Sequence, residues 1–247
     1  MDCWDGEDGE PIIYHGWTLT SKISFEEVIK DAILPYAFHT SQYPLILSIE
    51  NHCSIEQQDK MAYYMRVILK DKLYVDPVEE DREHMPSPES LRGKILVKAK
   101  RLPQDKTQED DVDDVDTDEE VEELDGKKKE KKKASPCNCL ISCAVLISRR
   151  FVRFQKISKQ LSDIVNYIHA VHFHNFEESE KSGKYYHMSS FGESKATGFA
   201  EGDEAKDFVK YNSRQISRIY PGASRQDSSN LKPISFWNAG CQIGEFI

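Results

Sequence analysis

No apolar run in this 247-residue chain is long enough to cross a bilayer. The longest, near residues 140–147, falls well short of the ~20 residues a membrane helix needs. A cysteine framework is missing too: the six cysteines are scattered without disulfide-like spacing, which predicts a reducing, intracellular setting. Positive charge is in deficit, with 33 Lys and Arg against 43 Asp and Glu and a net charge of −10. That argues against general nucleic-acid binding, because phosphate backbones need clustered Lys and Arg. It leaves room for a small basic site that takes a phosphorylated ligand. The first residues are acidic, which predicts no secretory leader. Hydrophobic residues make up only 38% of the chain, low enough to predict that part of it is unpacked.

What is there falls into three zones. In residues 1–103, "YPLILSIE" (residues 43–50) reads as one buried strand of a parallel sheet and "GKILVKAK" (residues 93–100) as a second. Ser24 with Glu27 and Ser54 with Gln57 fit capping boxes. Met61, Met65 and Ile68 extend one helical face, and Pro35 is expected to end or kink the first helix. Residues 104–153 hold an almost purely acidic run followed by "KKKEKKK", which reads as a disordered, charge-segregated linker. Cys137, Cys139 and Cys143 at its end lack the second cluster that zinc sites usually pair, and reversible acylation is an equal reading. In residues 154–247, "ISKQLSDIVNYIHAV" reads as an amphipathic helix, "YYHMSSFGES" as strand and turn, "ISRIYP" as a strand, and "FWNAGCQIGEFI" as the start of another. Alternating strands and helices imply βα units, and either half alone has too few strands for a stable core.

Functional residues of parallel βα folds collect at the carboxyl ends of strands. Glu50 closes its strand and Asp2 precedes a glycine turn; two such carboxylates converging at a barrel mouth suit a hard cation such as Ca²⁺. Read alone, Glu50 also fits a helix-start acid. Lys98 and Lys100, two apart, share one face of their strand and make an anion site, or else a solvent-facing strand end. Arg218 and Tyr220 repeat the spacing: the guanidinium can clamp phosphate and the phenol can stack on a ring. Ser190 adds a hydroxyl. Together they describe a pocket for a multiply phosphorylated small ring beside a divalent cation, where His15 can pass protons.

These stretches carry a resemblance. "DCWDG…PIIYHGWTLTSKI", "YPLILSIENHCS", "SPESLRGKILVKAK", "LSDIVNY", "MSSFGESKA", "SRIYPGASRQDSSN" and "FWNAGCQ" resemble, in order, the X and Y catalytic boxes of eukaryotic phosphoinositide-specific phospholipase C, closest in wording to the delta and eta types. The resemblance implies a TIM-like (β/α) barrel split by an acidic X–Y linker and incomplete at both ends. It divides the chain into the C-terminal part of an X-box half barrel (1–103), the linker (104–153) and the N-terminal part of a Y-box half barrel (154–247). It implies Ca²⁺-dependent cleavage of phosphatidylinositol 4,5-bisphosphate in intracellular signalling. The inositol 2-hydroxyl attacks the phosphodiester, diacylglycerol leaves, and water opens the cyclic phosphate to inositol trisphosphate. By motif position Asp2 and Glu50 match Ca²⁺ ligands and His15 the histidine that protonates the leaving group. Lys98, Lys100, Ser190 and Arg218 match the holders of the ring phosphates, and Tyr220 the aromatic packed on the ring. A cytoplasmic protein, peripheral at the inner face of membranes, is implied. The linker would be repelled from anionic membrane and cover the barrel mouth.

The family pattern also places a strand and a further acid before "DCWDG". The chain is therefore expected to be an internal piece without the family's first catalytic histidine and some of its metal ligands, its closing strand undeveloped, and to have little activity of its own. The competing expectation is a catalytically inactive barrel that binds phosphoinositide or a protein.

Overall fold

Ser24 opens the first helix as its sequence predicts: its hydroxyl accepts the Glu27 N–H at 3.4 Å. Ser24→Ala is expected to lower the unfolding free energy by about 0.5–1 kcal/mol, read from urea denaturation; an unchanged midpoint would show that the cap contributes nothing. The computed structural model describes residues 1–16, 20–108, 110, 112–113, 154–222 and 229–245. Most of the linker, including the acidic and basic runs and Cys137, Cys139 and Cys143, lies outside the described residues.

Twelve strands are described: β1 (Asp2–Asp5), β2 (Pro11–Ile13), β3 (Ile23–Ser24), β4 (Leu45–Ser48), β5 (Glu50–His52), β6 (Ile95–Ala99), β7 (Val112–Asp113), β8 (Phe154–Gln155), β9 (Ile168–Ala170), β10 (His187–Gly192), β11 (Ile216–Tyr220) and β12 (Ile243–Gly244). Six of them form one sheet in the order β12-β11-β10-β9-β6-β4, every pair parallel. The helices are α1 (Phe25–Glu27), α2 (Leu34–Tyr36), α3 (Ile55–Tyr64), α4 (Lys159–Ser162), α5 (Phe176–Ser182), α6 (Glu193–Glu201), α7 (Ala205–Asn212) and α8 (Ile234–Asn238). The result is a curled, parallel half-barrel of the TIM-like class with helices against it. β3-β2-β1-β5 make a second, mixed sheet, and β7 pairs with β8.

The sheet crosses the linker: β6 of the first half pairs with β9 of the second, Lys98 opposite Ile168. One core cluster does the same, joining Met61, Met65, Leu69 and Val97 to Leu161, Ile164 and Val165. Each such fully buried side chain contributes about 1.5–3 kcal/mol, so neither half would keep its core alone. A second cluster, with Phe173, Phe191, Phe208 and Tyr211, packs α6 and α7 on β10 and β11.

Several expectations are corrected. Residues 43–50 do not form one strand. At Ile49 the chain changes partners: Ile49 N–H bonds to the Lys98 carbonyl at 2.8 Å, whereas Glu50 N–H bonds to the Met1 carbonyl at 2.9 Å. The strand therefore leaves the barrel sheet as β4 and enters the small sheet as β5. Ser54 does not cap α3 with its side chain; its N–H and Oγ both donate to Asp5 Oδ1, at 2.9 and 3.0 Å. The segment 157–171 is not a long helix. It makes the single capped turn α4 and then β9, because pairing with β6 and β10 outweighs its helical period. Pro35 behaves as expected: a widened π turn, Val28–Ile33, precedes it and the helix ends one residue after it, at Tyr36. Phe236 and Trp237, expected in a strand, lie in α8, and the last segment does add a strand, β12, along β11.

Candidate functional site

The parallel pairing of β1 with β5 sets Asp2 directly opposite Glu50. Glu50 thus sits on a strand, not at a helix start. Period-two alternation puts His52 on the same face as Glu50, and its Nε2 lies 3.3 Å from Asp2 Oδ1 and 3.3 Å from Glu50 Oε1. Ligand atoms of Asp2, Glu50 and His52 fall within 4.8 Å of one another. The hydrogen bond from His52 is the main reason that the Glu50 carboxyl is held below its ordinary value; Arg218 and Lys98 add to it from further away.

Asp2 is held from several sides. The Trp4 indole N–H donates to Oδ1 at 2.7 Å and the Gly16 N–H to Oδ2 at 3.0 Å. Trp4 in turn stacks on His52, ring centroids 4.1 Å apart. Gly16 is required by that closeness: a Cβ there would lie 2.4 Å from the Trp4 ring. His15 follows β2 on this turn. Its Nδ1 is 3.8 Å from Asp2 Oδ2 and its side chain is 77% exposed, so the imidazole stands at the open rim.

The basic residues come from the barrel sheet. Lys98 is only 5% exposed, which corrects the reading of it as a solvent-facing strand end. Lys98 and Arg218 line a cavity of about 320 Å³ on the concave face with Ile46, Ser48 and Met188. Lys100 lies one residue beyond β6 and is half-buried. Ser190 is paired in register with Arg218, and its buried hydroxyl has no hydrogen-bond partner. Tyr220 lies in register with Gly192; Arg218 sits 5.7 Å from the Tyr220 ring centroid and forms an ion pair with Glu245. His15, Asp2, Glu50, Lys100, Ser190 and Tyr220 do not line the 320 Å³ cavity, so the structure groups the candidates as a carboxylate–imidazole rim and a cationic floor.

Sequence reading missed His52, Trp4 and Glu245. His52 was legible from its spacing to Glu50 had the strand been extended two residues; nothing local marks Glu245. Two carboxylates and an imidazole within reach of one point fit a divalent cation. A hard cation such as Ca²⁺ would take the carboxylate oxygens first and complete its shell with water or ligand oxygens. Among the described residues no helix is long and apolar enough to cross a membrane.

Comparison with known proteins shows what the chain is similar to. Residues 1–101 match the family model "Phosphatidylinositol-specific phospholipase C, X domain", and residues 161–244 match the corresponding Y domain. The chain is 45% identical over 246 residues to 1-phosphatidylinositol 4,5-bisphosphate phosphodiesterase delta-3-A of Danio rerio, covering 98% of this chain and 29% of that protein. It is 42% identical over 244 residues to inactive phospholipase C-like protein 2 of Homo sapiens, covering 98% of this chain and 20% of that protein. The crystal structure of S. officinalis PLC21 superposes with a TM-score of 0.72 at 38% identity, covering 98% of this chain and 28% of that one. The chain thus spans between a fifth and a third of the length of these relatives.

Proposed function

The chain belongs to the phosphatidylinositol-specific phospholipase C family, and from that premise we propose that it forms the catalytic barrel of a Ca²⁺-dependent phospholipase acting on phosphatidylinositol 4,5-bisphosphate. The observation that carries the proposal is geometric: ligand atoms of Asp2, Glu50 and His52 within 4.8 Å of one another, and Lys98 and Arg218 lining one cavity of the barrel sheet. Carboxylates suited to a cation and buried or half-buried cations suited to phosphates are the two sets of groups that a polyphosphorylated headgroup with a scissile diester needs. Asp2 and Glu50 would hold Ca²⁺, which when bound neutralises charge on the diester and acidifies the attacking hydroxyl.

The chain's own residues do the rest. Lys98, Lys100 and Arg218 bind the ring phosphates, and the unpartnered Ser190 hydroxyl gains an acceptor. Tyr220 packs on the ring. His15 delivers a proton to the departing diacylglycerol oxygen as the inositol 2-hydroxyl, its own proton passing to solvent, closes on phosphorus, and water then opens the cyclic product to inositol 1,4,5-trisphosphate. Such an enzyme works from the cytoplasm as a peripheral protein at the inner membrane face, where its substrate lies.

A second reading is favoured by one observation, the 42% identity to a relative named inactive: the barrel binds phosphoinositide, or a protein, without turnover. One experiment separates the readings. Vesicles of phosphatidylcholine with phosphatidylinositol 4,5-bisphosphate are mixed with the chain, with Ca²⁺ or with a chelator, and bound protein and released inositol trisphosphate are measured. Release that is slow, as expected for a chain with little activity of its own, but stands above the protein-free blank and stops on chelation is the expected result. Binding without release replaces it with the second reading, and neither binding nor release removes both.

A further inference from the structure

The register that sets Asp2 opposite Glu50 also sets Trp4 opposite His52. Alternation then puts all four side chains on one face of the two strands. Trp4 stacks on the imidazole, whose side chain is 13% exposed, while its indole N–H holds Asp2. The stack restrains the ring, and Nε2 is the atom turned toward both carboxylates. Among the described residues this is the only group of three His, Cys, Asp or Glu side chains whose ligand atoms converge.

Its donor set is two carboxylates and one nitrogen, and a Ca²⁺ site uses only part of it. Ca²⁺ takes six to eight oxygens, and imidazole nitrogen is not among its usual ligands. Imidazole suits Zn²⁺, Ni²⁺, Cu²⁺ and iron. Zn²⁺ in particular accepts three His and carboxylate ligands and leaves a fourth position to water. The spacing agrees with that chemistry. His52 Nε2 lies 3.3 Å from Asp2 Oδ1 and 3.3 Å from Glu50 Oε1. A tetrahedron with metal–ligand bonds of about 2.0–2.1 Å has edges of ~3.3–3.4 Å. As hydrogen bonds the same two separations are long, beyond the range of about 2.7–3.2 Å for N–H···O. Neither carboxylate is saturated. Asp2 accepts the Trp4 and Gly16 N–H groups, one on each oxygen, and each oxygen keeps a second lone pair. The Glu50 side chain is exposed and can close the set from outside.

We propose that the rim also takes a borderline divalent cation of the Zn²⁺ class, with His52 Nε2 as its third ligand, in competition with Ca²⁺. The inference rests on the reading of Asp2 and Glu50 as cation ligands. Nε2 offers its lone pair when the ring hydrogen sits on Nδ1, the neutral form in which imidazole binds metals. Zn²⁺ gains the nitrogen and Ca²⁺ does not, so the same two carboxylates hold Zn²⁺ more tightly and exclude Ca²⁺ from the rim.

The test uses the metal-stripped 247-residue chain, with Co²⁺ as the spectroscopic probe for this class and Ca²⁺ titrated separately by calorimetry. Only Co²⁺ that excess Ca²⁺ displaces is counted, which sets aside metal held by Cys137, Cys139 and Cys143 or by histidines elsewhere. Displaceable Co²⁺, bound more tightly than Ca²⁺, is the expected result. His52→Gln keeps an N–H for the carboxylates but removes the ligand nitrogen. Its Co²⁺ affinity should fall at least about tenfold more than its Ca²⁺ affinity, since even an outer-shell partner is worth 10–100-fold. A measurement on the parent keeps the test decisive if that variant misfolds. Bound Co²⁺ should move the ring-proton signals of one histidine far outside their usual range, in the parent and in His15→Ala alike, and Ca²⁺ should return them. Equal loss of both affinities makes His52 a positioning residue and overturns the proposal, as does Ca²⁺ binding without displaceable Co²⁺. Binding of neither metal overturns the reading of the rim as a cation site, and the proposal with it.

Discussion

If the proposed activity holds, His15→Ala is expected to slow the chain's cleavage of phosphatidylinositol 4,5-bisphosphate by about 10²–10⁴-fold, the usual worth of a positioned proton donor, and to leave its binding to bisphosphate vesicles unchanged. The expectation follows from where the turn after β2 leaves the imidazole. Its Nδ1 is 3.8 Å from Asp2 Oδ2, while Asp2 also accepts from Trp4 and Gly16. The ring is thereby tethered loosely at the rim instead of buried in the sheet. With 77% of its side chain exposed, it contributes little packing, and its loss should leave the urea midpoint unmoved. A separate readout isolates the proton. An inositol phosphodiester with an aryl leaving group, which departs as the anion, needs no protonation, so the variant should cleave it at close to the parent rate. Equal impairment on both substrates would assign His15 to substrate positioning and end its role as acid.

How much of this was legible before the structure depends on the residue. β6, β11 and the Ser24 cap could be read because each is a local pattern: a continuous apolar run between turns, a strand closing on Pro221, a serine three residues before an acid; the barrel class followed only from the family resemblance of the motifs. The break at Ile49 could not be read. An apolar run says that a segment is buried and nothing about which sheet it pairs with, and the switch from Lys98 to Met1 as partner is decided across the molecule. Residues 157–171 misled for the opposite reason. Their helical spacing is real, yet Ile168 satisfies its backbone between β6 and β10. In the site, Asp2, Glu50, Lys98 and Arg218 were legible as types of chemistry. His52 was hidden by ending its strand too early. Glu245, which neutralises Arg218, is paired through β12 from a position 27 residues away, beyond any local rule.

Lowering the pH from 7.5 to 5 is expected to remove about 3 kcal/mol of folding stability, most of it through His169. Its imidazole is 9% exposed, and burial first, then Arg101 and His187, pull its pKa from 6.5 down to about 3. His187, pulled to about 4 by burial and then by Lys184, behaves alike, with Glu80 opposing. Every charge packed against the pair enters this balance. Arg101 Nη1 lies 3.3 Å from His169 Nε2, Lys184 gives its N–H to His187, and Tyr186 covers His169 while donating to Glu80 at 3.0 Å. Above pH 6.5 both imidazoles are neutral folded and unfolded, and pH has no hold on them. Below it the unfolded chain takes up protons that the folded chain refuses, so stability falls as the pH drops toward 3–4 and levels off below. At pH 5 that is about 2 kcal/mol for His169 and less for the half-buried His187. Carboxylates such as Glu10 and Glu50, lowered from 4.5, contribute stability that is lost only at lower pH, which keeps the interval from 7 to 5 for the imidazoles. Urea midpoints across that interval test it, with His169→Gln as the comparison: the slope should flatten by more than half. A parent chain equally stable at both pH values would mean that the pair opens to solvent in the folded state, and that the contact between Arg101 of the first half and His169 of the second does not close the barrel seam.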